Sequence, residues 1–391
     1  MSLLYRDYRV GAMTLPNPIV VASCPATEDC DRLLRCADAG AGAAILKSCH
    51  TIENSPNDNG CRRFQVSDRG LWGTSTMARE LLHPDSTCVI LDEVKKRSDF
   101  NVIPSVAGFS LEPSIWLDTL HLLKQHNPKY VQLDLFYVEE DLSLPIVQDR
   151  LRKLVLKLRQ ECSLNLLPKL NQELRPGAAL EVFKNTGIAG WNLLDSIRTH
   201  LPMDLLSRKP DFPIFQFAMG LDSASLFGPW QLPFICEYVF RLRNESSIPI
   251  LAGGGINNAT DVARLLSLGA NAVQVATAIL REGPGWIKRT LLELESLMIK
   301  EQVSSIVSQP SFTNAQVRID ESLCSSCGCC AEQLMCNSIE MTSGVPQVNF
   351  DWCDGCGFCV SLCPAEAISL SVVPEQKTAT PFEEEATCSE K

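Results

Sequence analysis

The chain has 391 residues, 45% of them hydrophobic and 21% charged, with a net charge of −11. That is ordinary globular composition with room for about two domains, and its acidity excludes a basic nucleic-acid-binding surface. The 18 cysteines would mark a disulfide scaffold in a small secreted chain, but residues 1–16 carry Arg6, Asp7 and Arg9 without an apolar leader core, and no stretch reaches transmembrane length. A reducing cytoplasm is therefore expected, with Cys30, Cys36, Cys88 and Cys236 as small buried hydrophobes.

From the N-terminus, apolar strand-like runs alternate with amphipathic helical patterns, the signature of repeated βα units. The expected strands are Ile19 to Ala22, Ala43 to Lys47, Val102 to Val106, Tyr130 to Leu135, Leu164 to Leu170, Ile188 to Leu193, Ile248 to Ala252 and Ala272 to Ala276. Ile214 to Ala218 competes with Ile248 to Ala252 for the seventh place, and the latter is favoured because it runs into Gly253. One helix opens at Thr27 and stops at Gly40, another runs from Asn258 to Gly269, and the last starts at Gly285. Eight such units within residues 1–299 have the size of a (β/α)8 TIM barrel, an α/β fold.

Two stretches interrupt the pattern. His50 to Pro84 is too long for a plain connection and reads as a substrate lid or partner surface, or as a solvated insertion with no role. Residues 300–316, rich in serine, read as a linker, residues 317–373 as a small second domain, and residues 374–391 as an acidic, disordered tail.

The second domain carries the densest chemistry. Cys324, Cys327, Cys329, Cys330 and Cys336 are followed by Cys353, Cys356, Cys359 and Cys363-Pro364. Three cysteines at two-residue spacing, with a fourth supplied by the other half of a repeat, is the ligand pattern of a two-[4Fe–4S] ferredoxin-like domain. Zinc sites use paired rather than triplet cysteines, so a zinc knuckle is the weaker reading, as is a disulfide framework. One cluster is assigned to Cys324, Cys327, Cys330 and Cys363, the other to Cys353, Cys356, Cys359 and Cys336, with Cys329 left over. Cys336 follows a longer gap than Cys363 does, with Asn337 in place of the proline.

In the barrel, Gly253-Gly254-Gly255 and Ala276-Thr277 end the last two strands, where glycines let backbone N–H groups converge on a phosphate. Together with Asn17-Pro18, Ala22-Ser23, Lys47-Ser48, Lys169 and Asn192, these segments resemble the FMN-binding barrel of the dihydroorotate and dihydropyrimidine dehydrogenase family. The ferredoxin-like appendage is similar to that of the bacterial dihydropyrimidine dehydrogenase catalytic subunit in particular. The resemblance implies that Gly254, Gly255, Ala276 and Thr277 bind the FMN phosphate and that Ala22 and Ser23 pack by the isoalloxazine. It implies as well that Asn192 lines the ring and that Lys47 and Lys169 stabilise negative charge on reduced flavin; for each lysine, a strand-end charge reaching solvent is the bland alternative.

The chain departs from that family after the fourth strand. Where the family has Asn-x-Ser-Cys-Pro-Asn, this chain has Asp134-Leu-Phe-Tyr-Val-Glu139. Tyr137 falls at the acid/base position and is a candidate beside its reading as a packing aromatic; Cys24 is the other candidate. The family's Gly-Gly-x-Ser-Gly loop survives only as Met219 to Ser223, so the resemblance carries no substrate identity.

The expected function is electron transfer between two [4Fe–4S] clusters and FMN, with reduction or oxidation of a C=C or CH–CH bond in a small cyclic or conjugated substrate such as a pyrimidine. A relay or scaffold subunit that has lost its own substrate chemistry is the alternative. No strand is followed by a dinucleotide fingerprint, so the expected partner is an FAD/NAD(P)H-binding electron-transfer subunit or a soluble ferredoxin.

Overall fold

The computed structural model describes residues 8–51, 64–66, 73–76, 81–194, 196–199, 224–301, 314–333 and 336–373. Contacts divide the chain into two units, Met1–Pro310 and Ser311–Lys391.

In the first unit, nine hydrogen-bonded parallel segments form one sheet. In chain order they are β1 (Ile19–Val21), β2 (Ala43–Ile45), β3 (Val102–Ile103 and Ser105–Ala107), β4 (Val131–Asp134), β5 (Leu166–Lys169), β6 (Trp191–Asn192), β7 (Ile250–Gly253) and β8 (Ala272–Val275). Pro104 lacks an N–H and splits β3. Its first half pairs with β2, its second half with β4, and β8 pairs back onto β1. The sheet thereby closes into an eight-stranded barrel. Most strand residues are buried on both faces, as parallel strands covered by helices require.

The helices are α1 (Cys30–Asp38), α2 (Pro84–Arg97), α3 (Pro113–Lys124), α4 (Pro145–Cys162), α5 (Pro176–Phe183), α6 (Leu232–Glu245), α7 (Ala259–Ser267), α8 (Thr277–Glu282) and α9 (Gly285–Lys300). Proline opens α2 to α5, where its fixed φ suits the first turn and its missing N–H costs nothing. Asn258 caps α7 by accepting from the Asp261 N–H at 3.0 Å, as the sequence predicts. At α1 the start differs from expectation. Pro25–Thr27 forms a separate short turn and Asp29 is the cap, accepting from the Arg32 N–H at 2.8 Å.

Ile250–Gly253 takes the seventh barrel place; Ile214 to Ala218, the Met219 to Ser223 loop and the 374–391 tail lie outside the described residues. The insertion after β2 contributes two strands, Phe64–Val66 and Gly73–Thr76, to a four-stranded antiparallel sheet whose other members are Ile197–Thr199 and Ala224–Phe227. All four follow the C-terminal ends of β2 or β6, the end of a barrel where active sites are built.

In the second unit, β9 (Asn314–Ile319) pairs antiparallel with β12 (Ile368–Val373), and β10 (Ile339–Thr342) with β11 (Val345–Val348). Strand β9 begins within the stretch expected to be linker. A helical turn at Cys329–Gln333 and α10 (Phe358–Leu362) lie within the two cysteine runs. Val317, Cys330, Ile339, Cys359 and Ile368 form this unit's small core. Among the described residues, no helix is long and apolar enough to cross a membrane.

Candidate functional site

Register brings the barrel's polar residues to one layer. Lys169 on β5 lies opposite Asp134 on β4 and Asn192 on β6, so the three side chains project from the same side of the sheet. All three are buried, Lys169 at 5% exposure, Asp134 at 2% and Asn192 at 0%. Lys47 and Ser48 follow the end of β2, and Ser23 and Cys24 follow β1.

A chain of hydrogen bonds crosses this interior. The Gln274 amide donates to Asn192, Asn192 donates to Gln132, and Gln132 Nε2 donates to Ser105 Oγ at 2.6 Å. Ser105 and Ser48 hydroxyls meet at 2.9 Å, and Ser48 Oγ donates to Asp134 Oδ2 at 2.6 Å. Ser23 joins at the Ser48 hydroxyl at 3.2 Å, and the Phe136 N–H reaches Asp134 Oδ1 at 3.3 Å. Because Ser48 spends its only proton on Asp134, it must accept from its serine neighbours. From Gln274 to Ser48 every donor therefore points toward the Asp134 carboxylate, an arrangement in which each bond polarises the next. At the head of the chain the Gln274 Oε1 atom is buried without an acceptor's partner.

Tyr137 is half-buried on the short turn Leu135–Tyr137. Its hydroxyl accepts from Lys47 Nζ at 3.3 Å, and its ring meets Phe109 and Phe136 edge-on at 6.1 and 5.5 Å. The His50 ring, also buried, packs on Phe109 at 4.7 Å. Cys24 is fully enclosed. Burial pushes its thiol up to about 12, while the ammonium groups of Lys47 and Lys169 pull weakly the other way. It remains a neutral thiol at physiological pH, and the same pull places both lysines in its neighbourhood.

The ends of β7 and β8 form the third part of the site. Gly254 and Gly255 have φ of +106° and +76°, which only glycine adopts without strain. A Cβ on Gly255 would lie 2.6 Å from the Leu232 backbone nitrogen. Among the described residues, no protein acceptor takes the backbone N–H of Gly254, Gly255, Ala276 or Thr277. Four uncommitted N–H groups on two adjacent strand ends, beside a threonine hydroxyl, are the donor set a phosphate monoester needs. Ala22, packed beside them, donates its N–H to the Val275 carbonyl at 3.0 Å.

In the second unit a small cavity is lined by Cys324, Cys327, Cys329, Cys330 and Cys363. The four cysteines assigned from spacing to the first cluster thus line one space. Cys359 is buried and feels the Cys353 and Cys356 thiols beside it. Cys336 is half-buried and packs on the same core as Cys353.

Comparison with known proteins follows these two halves. The nitronate monooxygenase family matches residues 236–282, across α6, β7, α7, β8 and α8, and the 4Fe-4S binding domain matches residues 346–369, which contain the second cysteine run. The chain is 27% identical over 274 residues to the catalytic subunit of dihydroorotate dehydrogenase B (NAD(+)) from Staphylococcus carnosus, covering 68% of this chain and 83% of that one. The corresponding subunit of Thermoplasma acidophilum is 24% identical over 306 residues, covering 76% and 95%. A dihydroorotate dehydrogenase A (fumarate) from Limosilactobacillus reuteri is 34% identical over 92 residues, covering 24% and 27%. The fold and these relatives define a dehydrogenase-like barrel. Joined to it is a 4Fe-4S binding domain.

Sequence reading missed Ser105, Gln132 and Gln274. Each lies within a buried apolar strand, and only the closed barrel brings them together.

Proposed function

We propose that the protein is an iron–sulfur flavoprotein oxidoreductase acting on a C=C or CH–CH bond of a small cyclic or conjugated substrate such as a pyrimidine, with FMN in the barrel and two [4Fe–4S] clusters in the second unit. The observation that carries this reading is the set of four uncommitted N–H groups at Gly254, Gly255, Ala276 and Thr277, which shares the C-terminal strand ends with Lys47 and Lys169. When bound, FMN would supply hydride chemistry and the clusters single electrons.

The chain's own residues do the rest. The four N–H groups and the Thr277 hydroxyl hold the phosphate. Lys47 and Lys169 favour negative charge on the ring, Asn192 lines it, and Ala22 and Ser23 pack beside it. Lys47 orients the Tyr137 hydroxyl, which is the group we assign to proton transfer. Cys24, neutral and enclosed, would pack near the ring.

Cys324, Cys327, Cys330 and Cys363 would ligate one cluster, and Cys336, Cys353, Cys356 and Cys359 the other. The described cysteines are all unpaired, which suits a reducing cytoplasm. Electrons are exchanged with an FAD/NAD(P)H-binding subunit or a soluble ferredoxin, in the arrangement of a bacterial dihydropyrimidine dehydrogenase. The replacement of Asn-x-Ser-Cys-Pro-Asn by Asp134 to Glu139 supports the second reading, a relay subunit without substrate chemistry of its own.

Anaerobic purification with counts of flavin, iron and acid-labile sulfide tests the cofactors. About one FMN with about eight irons per chain is expected. Bleaching of that flavin by dihydrouracil, dihydroorotate or related saturated rings then separates enzyme from relay; no flavin at all would remove the reading.

A further inference from the structure

The first cysteine run holds one thiol more than a four-ligand cube requires. Cys324, Cys327, Cys329, Cys330 and Cys363 line a single cavity, which Met341, Pro346, Ala367 and Ile368 close with apolar surface. Two of these thiols are fixed by their surroundings. Cys330 is buried in the core of the unit, and the half-buried Cys363 sulfur accepts the Ala367 N–H at 3.3 Å.

Cys327 is held differently. It is exposed, and Gly328, with φ of +73°, turns the chain between it and Cys329. The two cysteines, separated by that one residue, therefore line the cavity at one corner.

We propose that this corner of the first cluster is served by two thiols, with Cys327 the resident ligand and Cys329 a reserve that binds the same iron when Cys327 is lost. The inference rests on the two-cluster reading above. With a peroxide as the oxidant the step balances: the peroxide O–O bond breaks and takes two electrons from the Cys327 sulfur, which leaves the iron as a sulfenic acid, while the hydroxide released takes the proton of the Cys329 thiol to give water and the Cys329 thiolate bonds the iron. An exposed ligand is the one oxidants reach first, because susceptibility follows thiolate character and access. A second thiol at the same corner keeps the cube four-coordinate after that damage.

The test uses the anaerobic full-length holoprotein and the variants Cys327→Ala, Cys329→Ala, Cys324→Ala and Cys327→Ala/Cys329→Ala, alanine being unable to ligate. Iron and sulfide are counted, and native-state alkylation by iodoacetamide is mapped by mass spectrometry. Wild type should hold about eight irons, with Cys329 alkylated and Cys327 protected. Cys327→Ala should keep the full complement with Cys329 now protected, whereas the double variant and Cys324→Ala should lose iron from that cluster.

Equal loss of iron in Cys327→Ala and the double variant would overturn the proposal while leaving the cluster reading intact. Full iron in Cys324→Ala would overturn it too, since iron content would then not depend on individual thiols. About four irons in wild type would remove the first cluster, and the proposal with it.

Discussion

Gly255→Ala and Gly187→Ala form a matched pair that separates backbone strain from crowding. The two glycines have φ of +76° and +73°, so each alanine bears the same left-handed cost of about 1–2 kcal/mol. At Gly187 the nearest atom to a new Cβ is Arg159 Nε at 3.7 Å, the far end of a flexible side chain. At Gly255 the new Cβ meets the Leu232 nitrogen at 2.6 Å and the Gly228 and Pro229 carbonyl oxygens at 3.1 Å. All three are backbone, and overpacking against backbone adds about 1–3 kcal/mol. Gly255→Ala should therefore cost about 2–5 kcal/mol in total and Gly187→Ala about 1–2 kcal/mol. At roughly 2 °C per kcal/mol for a unit of this size, calorimetry of the holoproteins should show Gly255→Ala melting clearly below Gly187→Ala. Flavin content should fall only in Gly255→Ala, because the shifted loop carries two of the proposed phosphate donors. Equal melting losses, or equal flavin content, would refute the argument that this loop is fixed by backbone packing and holds the phosphate.

The Ser48–Asp134 contact should show up in a double-mutant cycle of Ser48→Ala and Asp134→Asn, with a coupling of about 1 kcal/mol or more expected for a charge-assisted bond inside a network; a coupling near zero in denaturant melts would mean the contact contributes nothing. Lys47→Met and Lys169→Met should each make two-electron reduction of bound flavin harder, read by anaerobic redox titration, and unchanged potentials would take both lysines away from the ring. Tyr137→Phe should slow turnover of an identified substrate by about tenfold or more if its hydroxyl transfers the proton, measured in single-turnover kinetics with flavin content as control. Burial raises the thiols of Cys24 and Cys49 from 9.0 to about 12 and that of Cys36 to about 11. The folded state thus binds these protons more tightly than the unfolded chain does, so their stabilisation is complete below pH 9 and is lost as pH rises toward 11–12. Denaturant melts should weaken across that window, and Cys24→Ala should flatten the slope.

Much of this architecture is local and was legible in the residues. Short apolar runs separated by helical patterns announced the barrel, since each βα unit buries its own strand under its own helix. Asn258 and Gly269 marked the ends of α7 because capping depends on groups only a few residues apart. The cysteine spacing similarly reported thiols that a short turn brings together. Local signals are ambiguous where two residues compete: Thr27 and Asp29 both suit a helix cap, and the chain uses Asp29 for α1.

What only the tertiary structure decided is which buried polar atoms meet. Ser105, Gln132, Asn192 and Gln274 come from four different strands, and their hydrogen bonds form only when the barrel closes. A parallel strand covered on both faces has no alternation of polar and apolar residues to show which side is interior. Likewise, the small sheet joining the segments after β2 and β6 depends on strand pairing across more than a hundred residues. Sequence specified the elements and the cysteine chemistry through short-range physics; the polar chain ending on Asp134, and the pairing of Lys47 with Tyr137, exist because closure brings distant strand ends to one mouth.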